Sequence, residues 1–252
     1  MIDYEILEPQ VFIKRVEAIE KMIDEGWIQF KPDCIRMVGL DPSRIAVFEF
    51  VAGEDMVTIH ESDEMSLPIN FFDMCKVLVR MKTAETLRLQ YDGSFFKLIG
   101  KIDNRKKTFN LPLIDITEVE EPPMDHLLSM PLKVTFFVDV TSLKDMIEDC
   151  AIFSDTLTVT TKTDRVIMGA IYFGSANVIS EIEVEDVHED ELTSYAIRFL
   201  KIAVDCMIGE KVLVRFQSNY PMLILNKISE LSRMVFFLAP RVEESDFPDD
   251  DD

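Results

Sequence analysis

Glycine is scarce, at 8 residues in 252. None falls into a G-x-G-x-x-G or G-x-x-x-x-G-K-[ST] phosphate loop, nor into a G-x-S-x-G nucleophile elbow. These absences argue against nucleotide-binding and α/β-hydrolase readings. Histidine is scarcer: His60, His126 and His188 are too far apart to share one element at ligand spacing, which disfavours a His-based zinc site. The cysteines Cys34, Cys75, Cys150 and Cys206 form no C-x-x-C pair. A chain of this length needs no disulfide staples, so they are expected to be buried free thiols. No apolar run approaches the roughly 18–20 residues of a membrane span. The opening, MIDYEILEPQ, carries acids where a signal peptide carries a basic region. A soluble intracellular protein is expected.

Positive charge is also in short supply. Lys and Arg number 26 against 47 Asp and Glu, a net charge of −21. That balance argues against nucleic-acid affinity through net charge, so where the cations sit matters more than their total. Hydrophobic residues make up 48%, enough to fill a core and exclude wholesale disorder. The length suits one large domain or two of about 125 residues.

Most of the first half reads as short strands rich in aromatic and branched residues: 27–30, 34–37, 45–51, 86–91, 95–100 and 108–113. Turn chemistry bounds them at Pro32-Asp33, Asp41-Pro42-Ser43 and Asp92-Gly93. Asp92-Gly93 between two apolar runs predicts a hairpin. Two helices are predicted. One runs from Pro9 to about Asp24, with Phe12, Val16, Ile19 and Ile23 on one face. The other runs from Asn70 to about Lys82, with Asn70 as cap and Asp73 in the first turn.

The second half repeats this order. Helices are predicted at 141–153 and 195–208, and strands at 157–161, 166–173, 176–184, 212–216, 222–225 and 234–238. Offsets support a duplication. Asp33-Cys34-Ile35-Arg36-Met37 falls on Asp164-Arg165-Val166-Ile167-Met168, Leu87-Arg88-Leu89 on Val212-Leu213-Val214, and Phe109-Asn110-Leu111 on Phe236-Phe237-Leu238. Between the copies, the proline-rich acidic stretch from Asp115 to Ser129 is expected to be an extended linker. The acidic end from Glu243 to Asp252 is expected to be a solvated tail.

Three of the four helices carry cations opposite their apolar side: Lys14, Arg15 and Lys21; Lys76, Arg80 and Lys82; Arg198 and Lys201. The helix at 141–153 differs, since Lys144 is surrounded by Asp145, Glu148 and Asp149. Basic helical faces on so acidic a chain point to a phosphate backbone. No aromatics interleave as a stacking platform requires, so the expected contact is non-specific.

Three segments carry a resemblance. Leu40-Asp41-Pro42-Ser43-Arg44-Ile45-Ala46 is similar to the segment after the second core strand of sliding clamps of the proliferating cell nuclear antigen (PCNA) type. Phe237-Leu238-Ala239-Pro240-Arg241-Val242-Glu243 resembles their C-terminal Leu-Ala-Pro signature. Leu111-Pro112-Leu113-Ile114-Asp115 is similar to the strand leading into the interdomain connector of archaeal members. With the element order and duplication, the resemblance covers nearly the whole chain. It implies an α+β fold: an N-terminal clamp domain over 1–116, a connector over 117–132, a C-terminal clamp domain over 133–242 and the tail over 243–252. It implies a trimeric ring, antiparallel sheets outside and four helices lining a hole around duplex DNA. It also implies a processivity factor with no catalysis, cofactor or metal, loaded by a clamp loader and tethering DNA polymerase, flap nuclease and DNA ligase.

On this resemblance, Lys14, Arg15, Lys21, Lys76, Arg80, Lys82, Arg198 and Lys201 face the DNA. The partner-peptide pocket is lined by Leu40, Arg44, Ile45, Val47, Pro221, Phe237, Leu238, Ala239 and Pro240, with Val119 and Pro122 from the connector. Neighbouring subunits, identical or sister, pair the edge strands 108–116 and 176–184, through Thr108, Phe109, Leu111 and Leu113 against Ala176, Val178, Ser180 and Ile182. The chain departs from the family at Glu121, where an apolar residue is expected, at Val51–Met56, which lacks a Leu-Pro pair, and in its acidic third helix. Two rival readings stand beside it. One is a checkpoint-type clamp subunit or a scaffold without DNA, and a DNA-free scaffold would not need the cations. An acidic metal-dependent hydrolase would draw on Asp186–Glu191 and Asp249–Asp252, but a terminal run and a loop cluster hold carboxylates poorly in place.

Overall fold

A computed structural model describes residues 1–115, 119–172, 176–184 and 190–241. Ile116, the first two connector residues, Phe173, Asp186, Val242 and the tail lie outside the described residues. Contacts divide the chain into two units, one of Met1–Leu128 with Cys206–Ile208 and Leu225–Phe236, the other of the remainder. The fold is α+β with antiparallel sheets, as expected from the sequence.

In the first unit, β1 (Ile2–Ile6) and α1 (Pro9–Glu20) precede β2 (Glu25–Lys31), β3 (Cys34–Leu40), β4 (Ala46–Gly53), β5 (Val57–Ser62) and β6 (Met65–Asn70). Then come α2 (Phe71–Val79), β7 (Thr86–Tyr91), β8 (Phe96–Ile102), β9 (Arg105–Leu111) and the short α3 (Met124–Leu128). One sheet has the order β5-β1-β7-β8-β9; a second run is β4-β3-β2-β6. The helices begin as the sequence predicts. Pro9 opens α1, and the Asp73 amide donates to the Asn70 side chain at 2.9 Å, capping α2. Gly93 takes φ +97° in the turn between β7 and β8, where the Asp92 carboxylate accepts from the Ser94 and Phe95 amides. Buried aromatics fill the core: Tyr4 lies 5.0 Å from Phe30, and Phe48 lies 5.6 Å from Phe71 in edge contact.

The second unit begins with β10 (Val134–Asp139), α4 (Val140–Phe153), β11 (Thr156–Lys162), β12 (Arg165–Tyr172) and β13 (Ala176–Glu183). It continues with β14 (Leu192–Ala196), α5 (Ile197–Asp205), β15 (Lys211–Phe216), β16 (Met222–Lys227) and β17 (Arg233–Leu238). Its sheet runs β13-β12-β11-β14, and β10 pairs with β15. Parts of β16 and β17 belong to the first unit. The duplication is visible in the order: a strand hands on to a helix, strands follow, another strand leads directly into a second helix, and three strands close the copy. The shared offsets bring the starts of β3 and β12, and of β7 and β15, into register.

Three expectations are corrected. The predicted helix at 195–208 is a strand through Ala196, because Leu192–Ala196 pairs with β11, and the helix begins only at Ile197. The linker is not wholly extended, since α3 forms within it. Strands β1, β5, β6 and β10 were not predicted. All four cysteines are free and buried, as expected.

Candidate functional site

The turn after β3 is built by one carboxylate. Asp41, 3% exposed, accepts amides from Ser43 at 3.0 Å, Ile45 at 2.6 Å and Ala46 at 2.5 Å. That cage holds Arg44 at φ +58°, a left-handed conformation uncommon for a residue with a side chain. The turn thus presents an exposed guanidinium. Arg44 Nη2 donates to Glu120 Oε2 of the connector at 2.5 Å, with both side chains mostly in water. Beneath this pair lies a groove of about 680 Å³, into which Leu40, Arg44 and Val119 converge with Asp24, Glu25, Asn70 and Phe72.

A second cavity, of about 810 Å³, opens along the connector and takes in Pro122. Its floor is a charge cluster. Glu49 is 2% exposed on β4 and accepts from Arg36 Nε at 2.6 Å and from Arg233 Nη2 at 3.1 Å. Arg36 Nη1 also donates to Gln29 Oε1 at 2.7 Å and Glu121 Oε1 at 3.1 Å, while Gln29 Nε2 donates to Glu121 Oε1 at 2.9 Å. Glu121, out of place as an apolar residue, is therefore a strap. It carries the connector's charge to the buried cluster, while its neighbour Glu120 engages Arg44. Arg36 and Arg233 each meet Glu49 across adjacent strands, so the sheet register sets the cluster.

Other pocket residues are placed less openly. Ile45 is half-buried. Val47 is 8% exposed, Phe237 2% and Leu238 0%, so these three are packed core side chains rather than an open lining, a correction to the sequence reading. Both β4 and β17 are buried along nearly their whole length, so consecutive side chains are enclosed whichever face they take. Pro221, Ala239 and Pro240, in the second unit, are half-buried. Sequence reasoning missed Phe72, Asp24, Glu25 and the Arg36–Glu49–Arg233 cluster. A signal for Phe72 was present: Phe71, Met74, Cys75 and Leu78 are buried at helical spacing, which leaves Phe72 off the inner face.

The helical cations divide. Lys14, Lys21, Arg80 and Lys201 are exposed and carry no ion pair among the described residues. Lys76 is exposed, pairs with Asp73 at 3.1 Å and lies 3.7 Å above the Phe72 ring. Lys82 Nζ is bound to Glu17 Oε1 at 2.6 Å, and Arg198 stacks on Phe199. Arg15 is a correction. It is 0% exposed, so it cannot present charge to a ligand. Its place on α1, three residues after Phe12 and four before Ile19, is an inward position despite its polarity. Its Nε and Nη2 have no partner among the described residues, Nη1 reaches only the Val11 carbonyl at 3.4 Å, and burial lowers its pKa. On α4 and α5, Lys144 pairs with Glu148 and Asp205, leaving Asp145 and Asp149 exposed.

Both expected interface strands are sheet edges. β9 pairs with β8 and lies last in its sheet; β13 pairs with β12 and lies last in its own. β9 starts at Arg105, earlier than expected, and Leu113 falls beyond it. Thr108 is exposed, Phe109 half-buried and Leu111 buried, while Val178, Ser180 and Ile182 are half-buried and Ala176 begins β13. The edges differ in charge. β9 carries Arg105, Lys106 and Lys107, with Lys106 directly opposite Lys101, a like-charge pair that costs stability. β13 carries Glu181 and Glu183.

Of the hydrolase rival's carboxylates, Asp186, Glu189 and Asp249–Asp252 lie outside the described residues. Glu191 is 6% exposed and its Oε2 accepts the Ser218 amide at 2.7 Å. Burial pushes its pKa up, but the Ser218 and Lys133 hydrogen bonds outweigh that and hold it below the usual range. Among the described residues no three His, Cys, Asp or Glu side chains are grouped to hold a metal. No helix among them is long and apolar enough to cross a membrane.

No protein-family profile matches the chain. It is 31% identical over 244 residues to DNA polymerase sliding clamp 1 of Thermococcus kodakarensis, covering 92% of this chain and 95% of that protein. It is 28% identical over 246 residues to the DNA polymerase sliding clamp of Pyrococcus abyssi, with the same coverage. Among solved structures it superimposes on PCNA from Thermococcus kodakaraensis with a TM-score of 0.82 at 22% identity, covering 96% of this chain and all of that one. The PCNA2–PCNA3 complex of Sulfolobus tokodaii gives 0.80 at 19%, covering 96% and 100%. At these identities the structures show the fold.

Proposed function

The chain belongs to the family of DNA polymerase sliding clamps, the PCNA family, and on that premise we propose that it is a processivity clamp, three copies closing into a ring around duplex DNA. The observation that carries this reading is the contrast between a chain of net charge −21 and helices that expose Lys14, Lys21, Arg80 and Lys201 without ion pairs. A topological tether needs a surface positive enough to accept phosphates and too weak to stop sliding; unpaired helical cations supply that. An acidic exterior disfavours DNA contact elsewhere.

Ring closure joins the β9 edge of one copy to the β13 edge of the next. Each edge strand offers unpaired backbone groups that a lone subunit leaves open to aggregation. The cations of β9 meet the acids of β13, which favours this head-to-tail pairing over β9 with β9. The clamp performs no reaction of its own. It is DNA-associated, is placed on DNA by a loader, and holds polymerase, flap nuclease and ligase through short apolar motifs seated in the groove of Leu40, Arg44 and Val119.

Light scattering of the purified chain across a concentration series tests the ring, and three chain masses are expected. Primer extension on a primed circular template then tests the tether. Replacing Lys14, Lys21, Arg80 and Lys201 by Glu is expected to abolish stimulation while the mass stays that of three chains. Full stimulation by that variant would sink the DNA-encircling reading and revive a DNA-free scaffold.

A further inference from the structure

In the first copy, β1 is paired on both sides, with β5 and with β7. Its counterpart β10 pairs with β15 alone and ends its sheet. The stretch 184–191, which stands where 54–64 holds β5, is shorter, and its residues 185–189 lie outside the described ones. We propose that the open edge of β10 receives an extended segment of a partner protein as an added strand, with an acidic side chain beside Thr135 and an apolar one beside Phe137. The inference goes beyond the clamp reading and uses none of its DNA-facing, groove or ring-closure residues.

The other sheet edges are accounted for. Ring closure takes β9 and β13. The Ile114 amide donates to the Pro68 carbonyl on β6 at 3.3 Å, and the Arg241 amide to the Ser194 carbonyl on β14 at 2.7 Å. β5 exposes His60 and Glu61, and its pairing with β1 shifts register between Asp3 and Tyr4. Charge and a bulge are devices that discourage further pairing. β10 has neither a lysine nor a proline, and its ladder with β15 runs without a shift.

The strand itself suits pairing, since Val-Thr-Phe-Phe-Val is branched and aromatic throughout. Val134, Phe136 and Val138 are buried, while Thr135, Phe137 and Asp139 face outward. Phe137 is 66% exposed, and Leu213 opposite it is half-buried. The two make an apolar strip that runs up to the open edge, where a third apolar side chain would extend it.

Charge selects the occupant. Arg215 lies opposite Thr135, one strand in from the edge. Its Nε donates to Thr135 Oγ1 and its Nη2 to the Leu132 carbonyl, both at 3.2 Å. The guanidinium therefore leans across the start of β10. Both acceptors are neutral, and Arg215 has no ion pair among the described residues. A carboxylate on the added strand supplies the missing charge. Thr135 and Phe137 share a face two residues apart, so the occupant's acid and apolar anchor are two residues apart as well. Main-chain hydrogen bonds give the affinity, and this pair of side chains gives the selection.

The test uses the whole purified protein and a short fluorescein-labelled peptide of threonine and valine, with one aspartate and, two residues on, one phenylalanine. One companion probe replaces the aspartate by asparagine; another is N-methylated along the pairing side of its backbone. By anisotropy the N-methylated probe is expected to bind about ten-fold weaker, having lost at least two main-chain hydrogen bonds. The asparagine probe is expected to bind about three-fold weaker, a difference that added salt shrinks and Arg215→Gln removes. Phe137→Ser should weaken the aspartate probe by about five-fold. That variant should keep the three-chain mass and full polymerase stimulation, so failure here is separable from failure of the clamp reading. No binding of the aspartate probe, or equal binding of the N-methylated one, would overturn the proposal. Probe affinity that rises with salt would assign the edge to the chain's own acidic C-terminal segment. A doubled mass that returns to three chains in Phe137→Ser would assign it to a second copy. Either result also defeats the proposal.

Discussion

Replacing Glu49 by glutamine isolates the charge at the centre of the connector-side cluster. The side chain keeps its shape and one acceptor, but the carboxylate that holds two guanidinium groups is gone. Glu49 is 3% exposed at its side chain and Arg36 14%, so solvent screens little of the loss. Arg36 retains Gln29 and Glu121, but Glu121 is 47% exposed and a weak substitute. Removing one member of a buried pair costs about 3–5 kcal/mol. The retained acceptor and the surviving partners lower the expectation to about 2–3 kcal/mol by the same reasoning. At roughly 2–4 °C per kcal/mol for a domain of this size, Tm falls by about 4–12 °C. Trp27, the only tryptophan and 8% exposed on β2, reports unfolding of this unit by fluorescence in urea. Chain concentration must be held constant, because assembly adds to apparent stability. Glu120→Gln is the control: its pair with Arg44 lies in water, with side chains 55% and 72% exposed, and should cost under about 0.5 kcal/mol. If Glu49→Gln costs no more than that control, the cluster is not the structural anchor argued for it.

Arg15→Met should leave stability unchanged or raise it by about 1–4 kcal/mol, because a buried guanidinium with a single long hydrogen bond, to the Val11 carbonyl, gives way to an apolar side chain of similar length; urea melts check this, and a loss above about 1 kcal/mol refutes it. Burial pushes the Cys34, Cys75 and Cys150 thiols up to about 11. At pH 8 their thiolate fraction is then about 10⁻³, so Ellman's reagent should be silent on the native chain and react in urea; fast native labelling of any of the three contradicts their burial. The Lys97 hydrogen bond, with the Ser94 and Phe95 amides, lowers the Asp92 carboxyl to about 2. A depressed carboxyl stabilises the fold above the ordinary carboxylate range and loses that contribution as pH falls through about 2. An NMR titration should find the low midpoint, and Lys97→Met should raise it; no change in Lys97→Met would discard the assigned cause.

What was legible in the sequence was local chemistry. Asn70 three residues before Asp73, Asp92-Gly93 between apolar runs, and Phe12, Val16 and Ile19 at helical spacing each specify a few consecutive torsions, and each appears as expected. The duplication was legible because each copy repeats the same periods. The missed strands β1 and β10 end within three residues of a helix start, and β14 runs without a break into α5, so their alternation is short and merges with the next period. Arg15 is polar, yet its helical position between Phe12 and Ile19 puts it on the buried side of α1.

The sequence alone determined where α1 and α2 begin, that the thiols are buried, and that cations gather on three helices of an acidic chain. Only the tertiary structure decided which charges remain unpaired, and therefore which can act. Glu121 meets Gln29 and Arg36, 92 and 85 residues away, and Glu49 meets Arg233 across 184 residues. Such pairings depend on strand order and register rather than on neighbouring residues, and no local pattern records them.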